Sequence, residues 1–280
     1  MDRKRSLFFL IPAVLLGLVL CYSVVQALRI YIPQQRELRA FAELKERALS
    51  SAAVTAAPAP APVVEEDRAL PEAAAEPEPE TPPPASPYPY ALLSEQNADF
   101  VGWLSVPDTQ IDYPVMKSSE DDPQYYIHRD FSGNAASAGC LFIGGGCDAD
   151  SESFIIYGHN MNNGSMFGRL DEYADYAYAV SHPDLHLSMP DGERVYRVFA
   201  AFQTRIYAER DDVFKYYEQI GELGEAEYEE TVTHVRAMSL PSLPYAPSYP
   251  AQLLFLSTCS YHTENGRFVV AAYRVDEPTK

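Results

Sequence analysis

The residue whose type and position most favour covalent chemistry is Cys259. It follows the apolar run 253–256, Leu-Leu-Phe-Leu, which predicts a buried strand, so the thiol is expected where a core strand meets its exit loop. A nucleophile at such a point is held rigidly and can still face a groove. Because the thiolate is the reactive form of cysteine, it needs a cationic neighbour. The alternative for any one cysteine is a small buried hydrophobic side chain.

His159 is the best acid–base partner that the sequence offers. It comes directly after Gly158 and the β-rich run 154–157, so it is also expected at a strand end. A polar loop follows, and we expect a helix to begin near Met166.

His262 is the rival of His159, because it lies three residues after Cys259. Its loop, 260–266, is of a kind in which side chains are usually solvated, which favours His159. The remaining histidines have structural interpretations on turns, strands or a helix: His128, His182, His186 and His234.

Arg267 opens the last predicted strand, eight residues after Cys259. An antiparallel return through a short loop would place its guanidinium beside the thiol, where it could donate hydrogen bonds to a developing oxyanion. The alternative is an arginine at a strand edge that pairs with Glu264.

Neither a metal nor another cofactor is expected from the sequence. Cys140 and Cys147 lack a second pair of ligands, and the three glycines at 144–146 are followed by neither lysine nor helix. An extended strand from Cys140 carries the chain about 3.3 Å per residue away, so no obligatory disulfide between these cysteines is expected. The formal net charge of -19 argues against a nucleic-acid partner, which requires a basic surface.

The elements that must position these residues are mostly short strands. Two helices are expected, at 91–97 and 222–238, and a Pro-Asp-Gly turn at 190–192 joins two of the strands. Such a pattern predicts a mostly antiparallel β-barrel with inserted helices. The predicted strands cover residues 102–106, 111–116, 139–143, 154–157, 185–188, 194–203, 252–258 and 267–275.

The N-terminal part of the chain predicts a single-pass membrane anchor. Residues 7–28 form an apolar run long enough to cross a bilayer, and the basic segment 3–5 precedes it. The positive-inside rule puts residues 1–6 in the cytoplasm and the rest outside the cell, although Arg29, Arg36 and Arg39 weaken the asymmetry. A cleaved signal peptide is the alternative, but the run is long for one and lacks a clean cleavage site.

Two segments separate the anchor from the globular part. Residues 29–50 predict a juxtamembrane helix with Pro33 in its first turn. Residues 51–87 are rich in Ala, Pro and Glu and cannot build a core, which predicts a flexible, extended spacer. The catalytic domain is expected to cover residues 88–280.

Four segments together resemble class B sortases, from residue 88 to about 275. They are YGHNMNNGSMFGRL, LSTCSYHTENGRFVVAAYRV, NADFVGWLSVPDTQIDYPVM and YYIHRDFSG. The most specific parts are the Thr-Cys followed eight residues later by Arg, and the strand end Tyr-Gly-His-Asn. The anchor, the spacer and the helix before the cysteine strand also resemble this class.

The resemblance implies a sortase-type β-barrel and a transpeptidation. Sortases cleave a sorting motif near the C-terminus of an exported protein, typically between Thr and Gly, and class B motifs often begin Asn-Pro or Ser-Pro. An amine of a cell-wall precursor or a pilin then takes the acyl group. By resemblance Cys259 is the nucleophile, His159 protonates the leaving amine and Arg267 stabilises the oxyanion. The expected substrate-binding residues are Thr258, Asn160, Ser257 and Tyr261.

Two other functions are compatible with the sequence. A thiol hydrolase would share the acyl-enzyme and give the acyl group to water. A catalytically silent surface module would bind peptide in a groove, but the joint presence of Cys259, His159 and Arg267 disfavours it.

Overall fold

The computed structural model describes the backbone of residues 3–55 and 90–275, with side chains at 15–29, 31–50 and 90–275. The chain divides into two units, Met1–Glu43 and Leu44–Lys280. The predicted spacer lies outside the described residues from residue 56 onward, as does the predicted domain start at residue 88.

One long helix, α1 (Arg3–Thr55), contains the predicted anchor. Its stretch Leu15–Ser50 is long and apolar enough to cross a membrane, by length and composition, and its most apolar window is not buried in the protein. The predicted juxtamembrane segment 29–50 is helical, but it is not a separate helix with Pro33 in its first turn, because α1 continues through this residue. A proline removes one backbone hydrogen bond at a cost of about 3 kcal/mol, and the good helix formers that follow it at 34–40 help to keep the helix intact.

Eight strands form a closed barrel in the order β1-β2-β3-β4-β7-β8-β6-β5, which confirms the predicted fold. The pairs β2–β3 and β4–β7 are parallel and the other barrel pairs described are antiparallel. The strands are β1 (Phe100–Ser105), β2 (Asp112–Lys117), β3 (Leu141–Ile143), β4 (Ser153–Tyr157), β5 (Asp184–Met189), β6 (Gly192–Arg205), β7 (Leu253–Cys259) and β8 (Gly266–Val275).

Short helices and turns connect the strands. The α-helices are α2 (Tyr90–Gln96), α3 (Tyr176–Ser181) and α4 (Glu225–Met238), and the 3₁₀ turns are Tyr125–His128, Leu170–Ala174 and Tyr216–Glu218. Helix α4 packs on the barrel because Tyr228, Val232 and Val235 share one face and are buried in a cluster with Phe199 and Phe255.

The helix expected to begin near Met166 is wrong. Met166 has a φ of +53° and forms an isolated β-bridge with Asn160. The Asn163 side chain closes a turn instead, since its Oδ1 accepts hydrogen bonds from the Ser165 amide at 3.1 Å and hydroxyl at 2.7 Å. Asparagine competes in this way with helical hydrogen bonding.

Substitution of Phe255 on β7 measures how much packing in the barrel core contributes to the stability of the strand that carries Cys259. Its side chain is fully buried, whereas Tyr261 is 82% exposed. We expect Phe255→Ala to lower the free energy of unfolding by about 3–5 kcal/mol, because it leaves a cavity. The control Tyr261→Ala should change it by no more than about 0.5 kcal/mol. The chain has one tryptophan, the buried Trp103, so its fluorescence follows unfolding of the barrel. Equal denaturation midpoints for the two variants would contradict this assignment of the core.

Candidate active site

The strand pair β7–β8 brings Cys259 and Arg267 together. In the antiparallel register the two residues lie directly opposite each other, as the short loop between them required. Side chains at such positions stand on the same face with Cβ atoms about 4.5–5.5 Å apart. Both residues are partly buried, so the thiol and the guanidinium share an accessible end of the barrel.

The parallel pair β4–β7 brings His159 to the same end. Tyr157, the last residue of β4, pairs with Ser257, and the Gly158 amide donates to the Ser257 carbonyl at 3.1 Å. The Asn160 side-chain amide donates to the Cys259 carbonyl at 2.8 Å. Since His159 lies between these two hydrogen bonds, its backbone is fixed beside the end of β7.

The ring of His159 is partly buried and contacts two consecutive residues of the 3₁₀ turn Tyr125–His128. Its Nε2 lies 3.4 Å from Nδ1 of His128, and the ring also hydrogen-bonds to the Ile127 backbone carbonyl. Burial, followed by the charge of His128, lowers the pKa of His159 below its ordinary value, and the hydrogen bond to Ile127 opposes the shift. The imidazolium of His159 is therefore a stronger acid than a free one.

Arg267 is oriented by backbone carbonyls rather than by a carboxylate. Its Nη1 donates to the Gly266 carbonyl at 2.9 Å, and among the described residues it forms no ion pair with Glu264. Burial raises the pKa of Tyr157 and raises that of Tyr216 to about 12, while the charge of Arg267 opposes both shifts. The guanidinium charge thus acts on the end of the barrel, and among the described residues the alternative ion pair with Glu264 is not formed.

The four residues expected to bind substrate differ in exposure. The Thr258 hydroxyl is buried and donates to the Gly158 carbonyl at 2.8 Å, and the buried Ser257 hydroxyl contacts the Tyr216 hydroxyl at 2.7 Å. Asn160 binds the Cys259 carbonyl, as described above. Tyr261 alone of the four is fully exposed, in the loop between β7 and β8.

The other candidate residues, His262, Cys140 and Cys147, are less suited to the proposed chemistry. His262 is exposed and its Nδ1 lies 2.8 Å from the Ser260 hydroxyl. Cys140 and Cys147 are free thiols, and burial raises the pKa of both, which disfavours their thiolates. In the part of the chain that the structure describes, no group of three or more His, Cys, Asp or Glu side chains could hold a metal ion.

Two neighbours of the site were not identified by sequence reasoning. The sequence pattern favours a structural interpretation of His128 and contains no functional signal at Tyr216. Each meets the site through a contact with a distant part of the chain: 31 residues separate His128 from His159, and 41 separate Tyr216 from Ser257. The segment YYIHRDFSG contains His128, but its sequence does not show that the histidine side chain faces the site.

Cys259, His159 and Arg267 lie at one end of a closed barrel, and a thiol, an imidazole and a guanidinium are groups that acyl transfer through a thioester uses. The family model for the sortase domain matches residues 104–275. The chain therefore belongs to the sortase family, a family of cysteine transpeptidases.

Individual relatives place the chain with class B. It is 33% identical over 182 residues to sortase B of Listeria monocytogenes, covering 64% of this chain and 70% of that protein. The crystal structure of sortase B from Bacillus anthracis matches with a TM-score of 0.57 and 30% identity, over 67% of this chain and 84% of that one. Sortase B of Staphylococcus aureus in a substrate complex has a TM-score of 0.58 at 21% identity, over 67% and 85% of the two chains, and supports the fold.

The hydroxyl of Thr258 provides a test of the link between β4 and β7. Thr258→Val keeps the shape of the side chain but leaves the Gly158 carbonyl without this donor. We expect a loss of about 1–3 kcal/mol in the free energy of unfolding, because a buried acceptor is left unpaired. Thr258→Ser is the matched control, since it keeps the hydroxyl. Denaturation followed by Trp103 fluorescence compares the two, and equal stability of Thr258→Val and wild type would show that the hydrogen bond contributes nothing.

Proposed function

We propose that this sortase cleaves a C-terminal sorting motif in exported proteins and transfers the acyl group to an amine. The observation that carries the proposal is the register that sets Cys259 opposite Arg267, with His159 held beside the same strand end. Acyl transfer needs these three groups within reach of one carbonyl.

In the proposed mechanism the Cys259 thiolate attacks the carbonyl carbon of the scissile Thr–Gly bond. Arg267 donates hydrogen bonds to the oxygen as it gains negative charge. When the C–N bond breaks, His159 gives its proton to the departing amine, leaving a thioester on Cys259. The acceptor amine then attacks the thioester, His159 takes a proton from that amine, and Cys259 leaves as the thiolate.

Structures of relatives support the proposed substrate classes. Staphylococcus aureus sortase B has been crystallised with a substrate, and a sortase B structure also exists in complex with triglycine; for those proteins this points to a peptide donor and an amine acceptor. For this chain we propose an exported protein with a motif that begins Asn-Pro or Ser-Pro. The proposed acceptor is an amine of a peptidoglycan precursor or a pilin.

The residues around the nucleophile have two proposed roles in substrate binding. The exposed ring of Tyr261 contacts the bound peptide directly. Thr258, Ser257 and Asn160 act through hydrogen bonds that set the position of Cys259.

The N-terminal helix suits a membrane-bound enzyme. We propose that residues 7–28 anchor the chain with residues 1–6 in the cytoplasm, that 29–50 continue the helix, and that 51–87 hold the catalytic domain, 88–280, away from the membrane outside the cell. Its apolar stretch supports this location by length and composition.

Peptide transfer by the full-length chain in detergent tests the function. The substrates are quenched peptides Asn-Pro-X-Thr-Gly and Ser-Pro-X-Thr-Gly with X randomised, with and without triglycine, and mass spectrometry identifies the products. We expect cleavage after Thr and ligation to triglycine, both abolished in Cys259→Ala because no thioester can form. Cys147→Ala, a change at another partly buried thiol, should keep full activity.

Cleavage without ligation would identify a thiol hydrolase instead. Binding of the peptides without cleavage, by wild type and Cys259→Ala alike, would identify a silent binding module.

The role of Arg267 is tested by Arg267→Lys. Lysine keeps the charge but lacks the planar set of donors, so we expect kcat to fall by about 100- to 1000-fold. KM should change little, because the interaction matures in the transition state. Glu264→Gln is the control and should behave as wild type, since Glu264 is exposed and forms no ion pair with Arg267 among the described residues. A fall of tenfold or less for Arg267→Lys, matched by Glu264→Gln, would make Arg267 a structural residue.

A further inference from the structure

His128 faces the proposed acid–base residue from outside the three-residue site. Its Nδ1 lies 3.4 Å from Nε2 of His159, and the two ring centroids are 5.0 Å apart with an angle of 37° between the planes. Two imidazole nitrogens that face each other at this distance accommodate one N–H between them, because one must donate and the other accept. The pair therefore favours a single shared proton.

The turn that carries His128 is anchored in the body of the protein. The buried Tyr126 donates from its hydroxyl to Asp99 at 2.7 Å and accepts from the Asn97 amide at 3.0 Å. Gly139, with a φ of +62°, packs so closely under the turn that a Cβ there would collide with the Ile127 carbonyl. A fixed turn can hold a partner ring in place, whereas a mobile loop cannot.

Both contacts of the turn with His159 come from adjacent residues, the Ile127 carbonyl and the His128 ring. We propose that His128 is a positioning residue that fixes the orientation of the His159 imidazole and shares one proton with it. The inference deepens the proposed function, on which it rests, because it assumes that His159 transfers the proton.

The charges around the pair determine how it responds to pH. Besides His128, the surrounding elements carry Arg129 after the 3₁₀ turn, Cys259 on β7 and Arg267 on β8. Burial is the larger cause of the lowered pKa of His159. Among the described residues, His128 is the charged group that lowers this pKa further. Removing the His128 charge should therefore raise the pKa of His159.

His128→Asn and His128→Phe separate the two parts of the proposal in the full-length chain. Asparagine offers a neutral acceptor to Nε2–H of His159, whereas phenylalanine keeps an aromatic ring without any nitrogen. Diethyl pyrocarbonate reacts with the unprotonated imidazole, so its rate at His159, read by mass spectrometry across pH, gives the titration of that ring without a substrate.

We expect the titration of His159 to move to higher pH in His128→Asn. Because the proposed acid is the protonated ring, activity lost as pH rises through this pKa should persist to higher pH in that variant. With the quenched peptides, His128→Phe should lower kcat about tenfold with little change in KM, because the acid is no longer held in line. His128→Asn should stay within about threefold of wild type. His262→Asn, an exposed histidine in the β7–β8 loop, should change neither measurement.

An unchanged titration of His159 in His128→Asn, or a kcat for His128→Phe within about twofold of wild type, would overturn the proposal. If His128→Phe lowers the melting temperature, the titration of His159 in His128→Asn alone decides whether the proposal holds. His159→Gln separates the two levels of inference. Activity retained in His159→Gln would refute the proposed proton transfer, whereas an inactive His159→Gln beside unaltered His128 variants would refute only the positioning role.

Discussion

The parallel pairing of β4 with β7 is the constraint on which the site depends. Backbone hydrogen bonds alone would align the two strands, but the side chains of Thr258 and Asn160 continue the connection beyond the end of β4. This extension adds to the backbone bond from the Gly158 amide to the Ser257 carbonyl and holds the backbone of His159 beside the end of β7. The pairing of β7 with β8 then adds the guanidinium at the same level.

The chain has a net charge of -19, and the oxyanion role proposed for Arg267 requires a guanidinium that is free of carboxylates. Arg267 donates to backbone carbonyls of its own loop, and in the part of the chain that the structure describes it forms no ion pair. Its charge acts on the hydroxyls of Tyr157 and Tyr216. In the proposed mechanism the guanidinium is therefore available to an oxygen that becomes negative only during the reaction. Burial also explains why the imidazole of His159 resists protonation, since a buried site disfavours a charged ring.

The sequence predicted the barrel and the three strand ends well because those features are local. Alternating or continuous apolar runs define strands, and a short loop between Cys259 and Arg267 leaves little choice of register. The parallel partners of β4 and β3 were not predicted, since no local pattern identifies a partner strand that lies 100 residues away, as for β4, or 26 residues away, as for β3. The helix predicted to begin near Met166 does not form there, because the Asn163 side chain closes a turn instead. The contact of His128 with His159 was not predicted for the same reason as the parallel pairs, because the two residues are far apart in the sequence.

The distance along the chain between the two halves of the site has a consequence for when activity can arise. About a hundred residues separate Gly158 from Thr258, and the guanidinium follows only in the last strand. A polypeptide emerging from the ribosome therefore carries its histidine long before its cysteine, and contacts so far apart form slowly. A chain that ends before β8 lacks Arg267 and the strand that pairs with Cys259, so the thiol acquires both proposed partners only after β8 has been synthesised.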